Sequence, residues 1–561
     1  MAHAKLNTPT VAGFPFSDNF ESGIIGADWS SSSSGAGQVE ISTENPHAGT
    51  YSIFMGKKLK QDATANLFLT ADLAGQNDVF LDFWWRANEE AGDPDNGVYI
   101  SDNDGASWSK IYDLGGNAQG YMHAFINVAD AAADRGLTLN NHFRIYLYYE
   151  SRYFNNVGGL YVDDFRLTTR NQVVASFPAA DAINSATFTQ GVYSQATGAG
   201  IVEISEDSPH SGAQSAFIGK KTANDATASL QWIVDLTNQP DIFLDFWWRA
   251  TGQAADPQNG VYVSVDDGVS WTQIGDLFAN RQFYGHAVIN LADAAADHGL
   301  VLNNRVRISF HYESRYFNAV GGLHIDDLRL TTRSDVVATF PNSDMFTDES
   351  FSKGLYPQGY GGSIAEISSE DPHSGSYHVF LGKKTETDAG ASLEWLIDLE
   401  NQEQVFLDFW WRATGQAADP QNGVYISVDD GATWAPIYNL NGNAQTYSHA
   451  VIDLAAAADA QGIVLNNRVR ISFYYESRYF DPIGGLRIDD LRIGPNDPNN
   501  QPQPTATPTI TISPTANPTI TPTATATPTF TPTATPRPTA TPTAPSGVEE
   551  KGQTYLPLVV K

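Results

Sequence analysis

The 561-residue chain contains no cysteine. That excludes disulfide frameworks, thiolate zinc sites and cysteine nucleophiles together, although many secreted bacterial proteins use no disulfides, so it does not fix a compartment. Positive charge is scarce: 32 Lys and Arg stand against 64 Asp and Glu, a formal net charge of -32. Such a balance argues against nucleic acid or an anionic membrane face as partner and is compatible with cation binding or simple solubility. No apolar run approaches the roughly 20 residues that span a bilayer, so no transmembrane span is expected. The opening residues, MAHAKLNTPTVAG, hold no apolar segment of a signal peptide. Catalytic motifs are missing too: there is no H-E-x-x-H, no G-x-S-x-G and no glycine-rich phosphate loop. The chain is therefore read as non-enzymatic, with paired carboxylates for glycoside hydrolysis the one catalytic arrangement that a sequence would not reveal.

What is present is aromatic and repeated. The 29 Phe, 24 Tyr and 12 Trp favour strands. The segment FLDFWWRA occurs at Phe80–Ala87, Phe243–Ala250 and Phe406–Ala413, each copy 163 residues after the last. His47, His210 and His373 keep the same step, as do Asp163, Asp326 and Asp489. A period this long is a whole domain rather than a solenoid rung of about 40–50 residues. The expected organisation is an N-terminal extension at 1–11, repeats at 12–170, 174–333 and 337–493, a Thr/Pro-rich linker or stalk at 494–548 and an apolar tail at 549–561.

Within a repeat, Val79, Leu81, Phe83 and Trp85 alternate with Phe80, Asp82, Trp84 and Arg86, the period of a strand with one buried face. Val306, Ile308, Phe310 and Tyr312 alternate likewise with Arg307, Ser309, His311 and Glu313. One Ala-rich helical piece is expected per repeat, at Ala129–Arg135, Ala292–His298 and Ala455–Gln461, each followed by a glycine suited to a C-cap. The fold class is all-β: three tandem antiparallel β-sandwich domains of jelly-roll type followed by a disordered Thr/Pro-rich tail. That tail favours extended polyproline II, and some 50 residues at about 3.1 Å each reach roughly 150 Å. It reads as a stalk.

Several motifs are candidates for chemistry. SDNDGASW at Ser101–Trp108, with SVDDGVSW and SVDDGATW in the later repeats, resembles the Asp-box, a structural hairpin in which glycine supplies positive φ. In GGLHIDDLRL (321–330) the apolar parity slips at the acidic pair, which predicts a bulge. Adjacent acids there, facing an Asp at each domain's start, suit Ca²⁺, which takes six to eight oxygens. The expected metal pairs are Asp18 with Asp164, Asp181 with Asp327, and Asp344 with Asp490.

Phe20-Glu21 with Trp29, Phe83-Trp84-Trp85 and Val162-Asp163-Asp164 resemble the MAM-like and concanavalin-like jelly-roll modules of extracellular proteins, and the Gly-Val-Tyr-Ile-Ser stretch is similar to reelin-type repeats. MAM cysteines are absent, and Asn184 and Thr347 replace Glu21 while Val192 and Leu355 replace Trp29. The resemblance implies adhesion, or attachment to a secreted peptidase or glycosidase. The Thr-Pro stretch ending in YLPLVVK is similar to C-terminal tails of exported bacterial proteins, which implies surface display or sorting.

Ligand contacts are sought on the WWR strand and on the ESRYF loops. By alternation Trp84, Trp247 and Trp410 differ in face from their neighbours, and with Arg86, Arg249 and Arg412 they suit stacking on a sugar. Glu150 with Arg152, Glu313 with Arg315, and Glu476 with Arg478 form the second candidate set. The pairs of the Lys57-Lys58 type are read as solvated edge protection, and single histidines as hydrogen-bonded structural residues. The resulting expectation is a secreted or surface-attached protein that binds glycan or extracellular protein, or self-assembles into a layer. The alternative is the accessory region of a secreted peptidase or glycoside hydrolase. Three copies favour binding, where avidity rewards multiplicity.

Overall fold

A computed structural model describes residues 10–498 apart from 45, 89–92, 116–119, 177–187, 189–190, 253–255, 278–280, 345, 349, 416–418 and 443–445. The Thr/Pro-rich stretch, the YLPLVVK end, Asp181 and most of the N-terminal extension lie outside the described residues.

Copy one shows the pattern. Its strands are β1 (Phe16–Asp18), β2 (Trp29–Gly35), β3 (Gly37–Ser42), β4 (Ser52–Lys57), β5 (Ala63–Ala71), β6 (Phe80–Asn88), β7 (Gly97–Ser101), β8 (Ser109–Asp113), β9 (Met122–Asn127), β10 (Phe143–Ser151) and β11 (Gly158–Thr168). A first sheet runs β3-β4-β11-β6-β9 with β1 on β11, and a second runs β2-β5-β10-β7-β8. All these pairings are antiparallel. The single helix, α1 (Val128–Ala133), starts where Asn127 accepts a hydrogen bond from Asp130 N, and Gly136 follows at φ 68°. The chain is thus all-β, with two-sheet sandwiches.

The alternation read from sequence is the one that packs. Leu81, Phe83, Trp85 and Ala87 enter the core of copy one with Leu67, Leu69, Ile145 and Leu147 from the opposite sheet. Separate apolar clusters fill copies two and three. The expected bulge is present: pairing of β11 with β6 shifts between Asp163 and Arg166, and Asp164 sits at φ 48°.

The copies meet through a repeated seam. The outer side of the second sheet in one copy packs against the β9 edge of the copy before it. Tyr193 rests on Phe125 at 4.7 Å and joins Phe80, Val173, Val174 and Ile233 in an apolar cluster, and Tyr356 joins Phe243, Val288 and Leu396 in another. Arg307 Nη2 donates to Phe125 O at 3.5 Å, and Arg470 Nη2 to Val288 O at 2.8 Å. Arg305 reaches Asp130 of the preceding copy at 3.3 Å, while Arg468 reaches Asp293 at 3.4 Å and Asp297 at 2.8 Å. At the second seam the strand 281–290 also bridges residues 355–361, so one ten-stranded sheet crosses the boundary.

Both ends of the row keep only part of this chemistry, Arg144 in copy one among it. In copy one, Ser30 stands where Tyr193 stands, and His142 where Arg305 stands. In copy three, Ala456 and Ala460 replace Asp293 and Asp297.

Candidate functional site

The outer side of the first sheet carries most of the residues singled out from sequence, and there they are spent on one another. Trp84 leaves the core as alternation requires, but both of its faces are covered. His47 stacks on one at 3.9 Å and His123 on the other at 4.3 Å. Trp247 lies between His210 and His286, and Trp410 between His373 and His449, in the same way. None of the three indoles offers an open ring face to a sugar. Arg86 is buried, with its guanidinium 3.9 Å from the Tyr161 ring centroid, and donates to Glu44 O at 2.9 Å. Arg249 holds Asp207 O, and Arg412 pairs with Asp371. These arginines pin the loop that lays each histidine on its tryptophan.

The acidic pairs close the same arrangement. Asp163 is fully buried and accepts from the backbone N–H groups of His47, Ala48 and Asp164. Burial pushes its pKa up to about 6, and the neighbouring Asp164 charge adds to this, against the pull of those N–H groups. Asp164 accepts from His47 Nδ1 at 2.7 Å, Asp327 from His210 at 2.6 Å and Asp490 from His373 at 2.6 Å. Burial would raise the Asp327 carboxyl, but the bonds from His210 and Ser211 hold it below its usual range.

Asp18 does lie beside the closing strand, opposite Phe165, and Asp344 opposite Leu491. Their oxygens are engaged: Asp18 takes Phe20 N at 2.8 Å and Trp29 Nε1 at 2.9 Å, and Asp344 takes Phe346 N at 2.7 Å. A Ca²⁺ here would share these carboxylates with the partners they already hold. Asp18, Asp164, Asp82 and Arg166 line a cleft of about 560 Å³, and its Asp82 is already paired with His123 and Arg166. Among the described residues, the only group of three acidic or histidine donors close enough to share one ion is Asp93, Asp95 and Glu150.

The lysine pairs are a correction. Lys57, Lys220 and Lys383 are not solvated: they are 1%, 0% and 0% exposed. Strand alternation sends one lysine of each pair out, as with Lys58 on Glu40, and the other in. The buried ammonium of Lys220 donates to Asn224 O and Arg315 O, and burial lowers its pKa.

The open surface of chemical interest is the outer side of the second sheet in copy one. Strand parity places Phe68 on β5, Tyr146, Tyr148 and Glu150 on β10, and Tyr99 on β7, all facing outward and half-buried. Trp108 joins them because the preceding loop folds back. Ser101 Oγ accepts from Gly105 N at 3.0 Å, and Gly105 takes φ 83° where a Cβ would lie 2.9 Å from the indole. The five rings are contiguous: Phe68 stacks on Tyr146 at 4.5 Å, Trp108 meets Tyr146 at 4.9 Å, and Tyr146 meets Tyr148 at 5.4 Å. Polar groups fix and fringe them. Tyr146 OH donates to Asn66 at 2.6 Å, Asn66 donates to Ser32 at 3.0 Å, and Tyr148 OH donates to Glu150 at 2.7 Å. Burial raises the pKa of both tyrosines, which keeps them neutral donors.

Two of these positions differ in polarity and exposure in the later copies, while Tyr99 and Trp108 remain Tyr262 and Trp271, then Tyr425 and Trp434, and Tyr148 becomes His311 and Tyr474. Phe68 and Tyr146 correspond to Gln231 and Ser309 in copy two, 6% and 4% exposed, and to Glu394 and Ser472 in copy three, 7% and 4% exposed. At these two positions polar residues occupy the covered faces and rings occupy the open one. Of the residues chosen from sequence, only Glu150 belongs to this platform. The signal that would have found it was the divergence of copy one from its siblings at 68 and 146.

No family model matches the chain, and no curated protein matches it. Among solved structures, similarity is seen to a module named CBM61 in complex with β-1,4-galactotriose, at 17% identity over 30% of this chain and 99% of that one, TM-score 0.20. The tandem CBM22 modules of Xyn10C from Paenibacillus barcinonensis align at 15% identity over 58% of this chain and 99% of theirs, TM-score 0.21. The K2 cleaved adhesin domain of Lys-gingipain aligns at 12% identity over 28% of this chain and 99% of its own, TM-score 0.22.

Proposed function

We propose that this is a non-catalytic extracellular or cell-surface protein that binds glycan through the aromatic platform of its first repeat. One observation carries the reading: at 68 and 146 copy one keeps two rings half-exposed, contiguous with Tyr99, Trp108 and Tyr148, where the other copies place buried polar residues. Half-exposed rings cost solvation free energy unless a partner covers them. Ring faces bordered by fixed hydroxyl, amide and carboxylate groups match the C–H faces and hydroxyls of a pyranose, and a mostly apolar surface with a few placed polar groups is the general form of a small-ligand site.

Self-assembly end to end is not part of this reading. Part of the seam is replaced at each end: a second chain would find Ser30 and His142 where the seam has tyrosine and arginine, although Arg144 keeps the position of Arg307. Attachment to a hydrolase elsewhere is compatible with the same site.

The test is a glycan array probed with the full chain, together with a reducing-end assay on every glycan that binds. Saturable binding without new reducing ends supports the proposal. Bond cleavage, or an array with no binding, overturns it.

A further inference from the structure

Each ESRYF loop ends in a β-turn whose two central residues are Tyr and Phe. Asn155 N donates to Arg152 O at 3.0 Å, Asn318 N to Arg315 O at 3.0 Å, and Asp481 N to Arg478 O at 2.9 Å. The aromatic pairs at the tips stand in solvent. Tyr153 and Phe154 are both 65% exposed, Tyr316 and Phe317 are 65% and 67%, and Tyr479 and Phe480 are 63% and 65%. Within each pair the rings meet edge to face at 5.5, 5.4 and 5.4 Å. Exposed large apolar residues are individually ordinary, but three identical pairs at one covalent period are not a scatter.

The tips are also held rigid. Tyr153 N donates to Asp62, Tyr316 N to Asp225 and Tyr479 N to Asp388, at 2.8, 2.7 and 2.7 Å. The buried ammonium groups of Lys57, Lys220 and Lys383 each donate to the carbonyl of the arginine that opens the turn. Burying a lysine is costly without partners, and here its role is to fix the backbone beneath two exposed rings. Rigid presentation lowers the entropy lost when a partner is engaged.

We infer that the three Tyr-Phe turns form a trivalent contact surface for an uncharged polysaccharide. The tips are convex, so the partner is a surface or chain rather than a small molecule in a cavity. They recur at a covalent step of 163 residues, and Tyr193 with Tyr356, Arg305 with Arg468 and Arg307 with Arg470 play matching parts at the two seams, so a partner that satisfies all three must itself repeat. Each tip combines ring faces with an exposed guanidinium from Arg152, Arg315 or Arg478, which suits C–H faces bordered by hydroxyls. A net charge of -32 disfavours a polyanion. The inference shares its ligand class with the proposed function but uses different residues and needs all three copies.

The experiment is retention of the full chain on insoluble cellulose, chitin, xylan and mannan, with polyproline resin as the competing class of partner. Variants replace one, two or three pairs by alanine, such as Tyr316→Ala with Phe317→Ala. Retention on at least one polysaccharide should fall about tenfold per pair and by more than 100-fold when all three are gone, the scale expected of avidity. Melting temperatures should not move, since the rings are exposed. Leucine in place of both rings should behave as alanine. Unchanged retention of the triple variant, full retention by the leucine variant, or tip-dependent retention on polyproline alone would each overturn the inference. Binding of short soluble oligosaccharides at the platform should be the same in all these variants, so loss of that signal points to the platform and not to the tips.

Discussion

Trp84 and His123 lie ring on ring, 4.3 Å apart and 13° from parallel. Tyr193 of the following copy closes over the same imidazole at 4.4 Å, and its hydroxyl donates to Val173 O. The tryptophan stack is therefore part of how one repeat is fastened to the next. The histidine side chain is 8% exposed at the first seam, 15% at the second and 34% in copy three, which leads into the Thr/Pro-rich stretch.

Tyr193→Ser, which installs the residue that copy one carries at this position, should loosen the first seam without unfolding either copy. Removing a buried ring costs about 3 kcal/mol. Hydrogen exchange should speed up at 122–127 and 192–198, and equal protection in variant and parent would show that the seam does not depend on this contact.

Phe68→Gln combined with Tyr146→Ser gives copy one the residues of copy two, which the same backbone already tolerates. The melting temperature should change little. Glycan binding should drop at least tenfold, because the loss of two stacking rings at about 1 kcal/mol each exceeds the roughly 1.4 kcal/mol of that factor. Undiminished binding would place the ligand elsewhere.

Lys220→Met keeps the length of the side chain but leaves the carbonyls of Asn224 and Arg315 without their buried donor. An orphaned buried acceptor costs about 1–3 kcal/mol, so urea unfolding should move to lower denaturant by that order. The Tyr316 turn should become protease-sensitive. A variant as stable as the parent would mean that the lysine is replaceable by apolar packing.

The Asp163 carboxyl, raised by burial to about 6, binds its proton more tightly in the folded state than in the unfolded chain. Its contribution to stability is complete at low pH and is lost as pH climbs from about 4 through 6. Asp326 and Asp489 are raised for the same reason and act in the same sense. Asp163→Asn should be less stable overall, because an amide cannot accept all three backbone N–H groups. Its deficit against the parent should shrink as pH rises from 4 to 7 in thermal melts. A constant deficit would remove burial as the cause.

Melting with EDTA against added calcium tests the cation expected at Asp18 with Asp164 and at Asp344 with Asp490. An ion bound only by the native state must raise stability. With their oxygens already accepting from Phe20, Trp29, His47, Phe346 and His373, these carboxylates should give equal melting temperatures in both conditions. A rise with calcium would show that the ion shares those carboxylates.

The strands, the short Ala-rich helix and the bulge at the acidic pair were legible because each has a local cause. Period-two alternation fixes which of Phe83 and Trp84 faces the core, and Asp164 carries the break in that parity. The site was much less legible. Alternation sends Trp84 outward but cannot say that His47, 37 positions earlier, and His123, 39 positions later, will cover both its faces. Nor can it say which lysine of a pair finds a carbonyl cage.

Sequence alone determined that this chain is three copies of one β-sandwich unit, since hydrophobic periodicity acts within a strand and the 163-residue repeat is plain in the residues. Tertiary structure decided which outward faces stay open. Phe68 and Gln231 share a strand position and a direction, yet one is half-exposed and the other, beside the seam residues Tyr193 and Ile233, is 6% exposed. Exposure at such a position is set by what lies across the seam, and no local pattern carries that information.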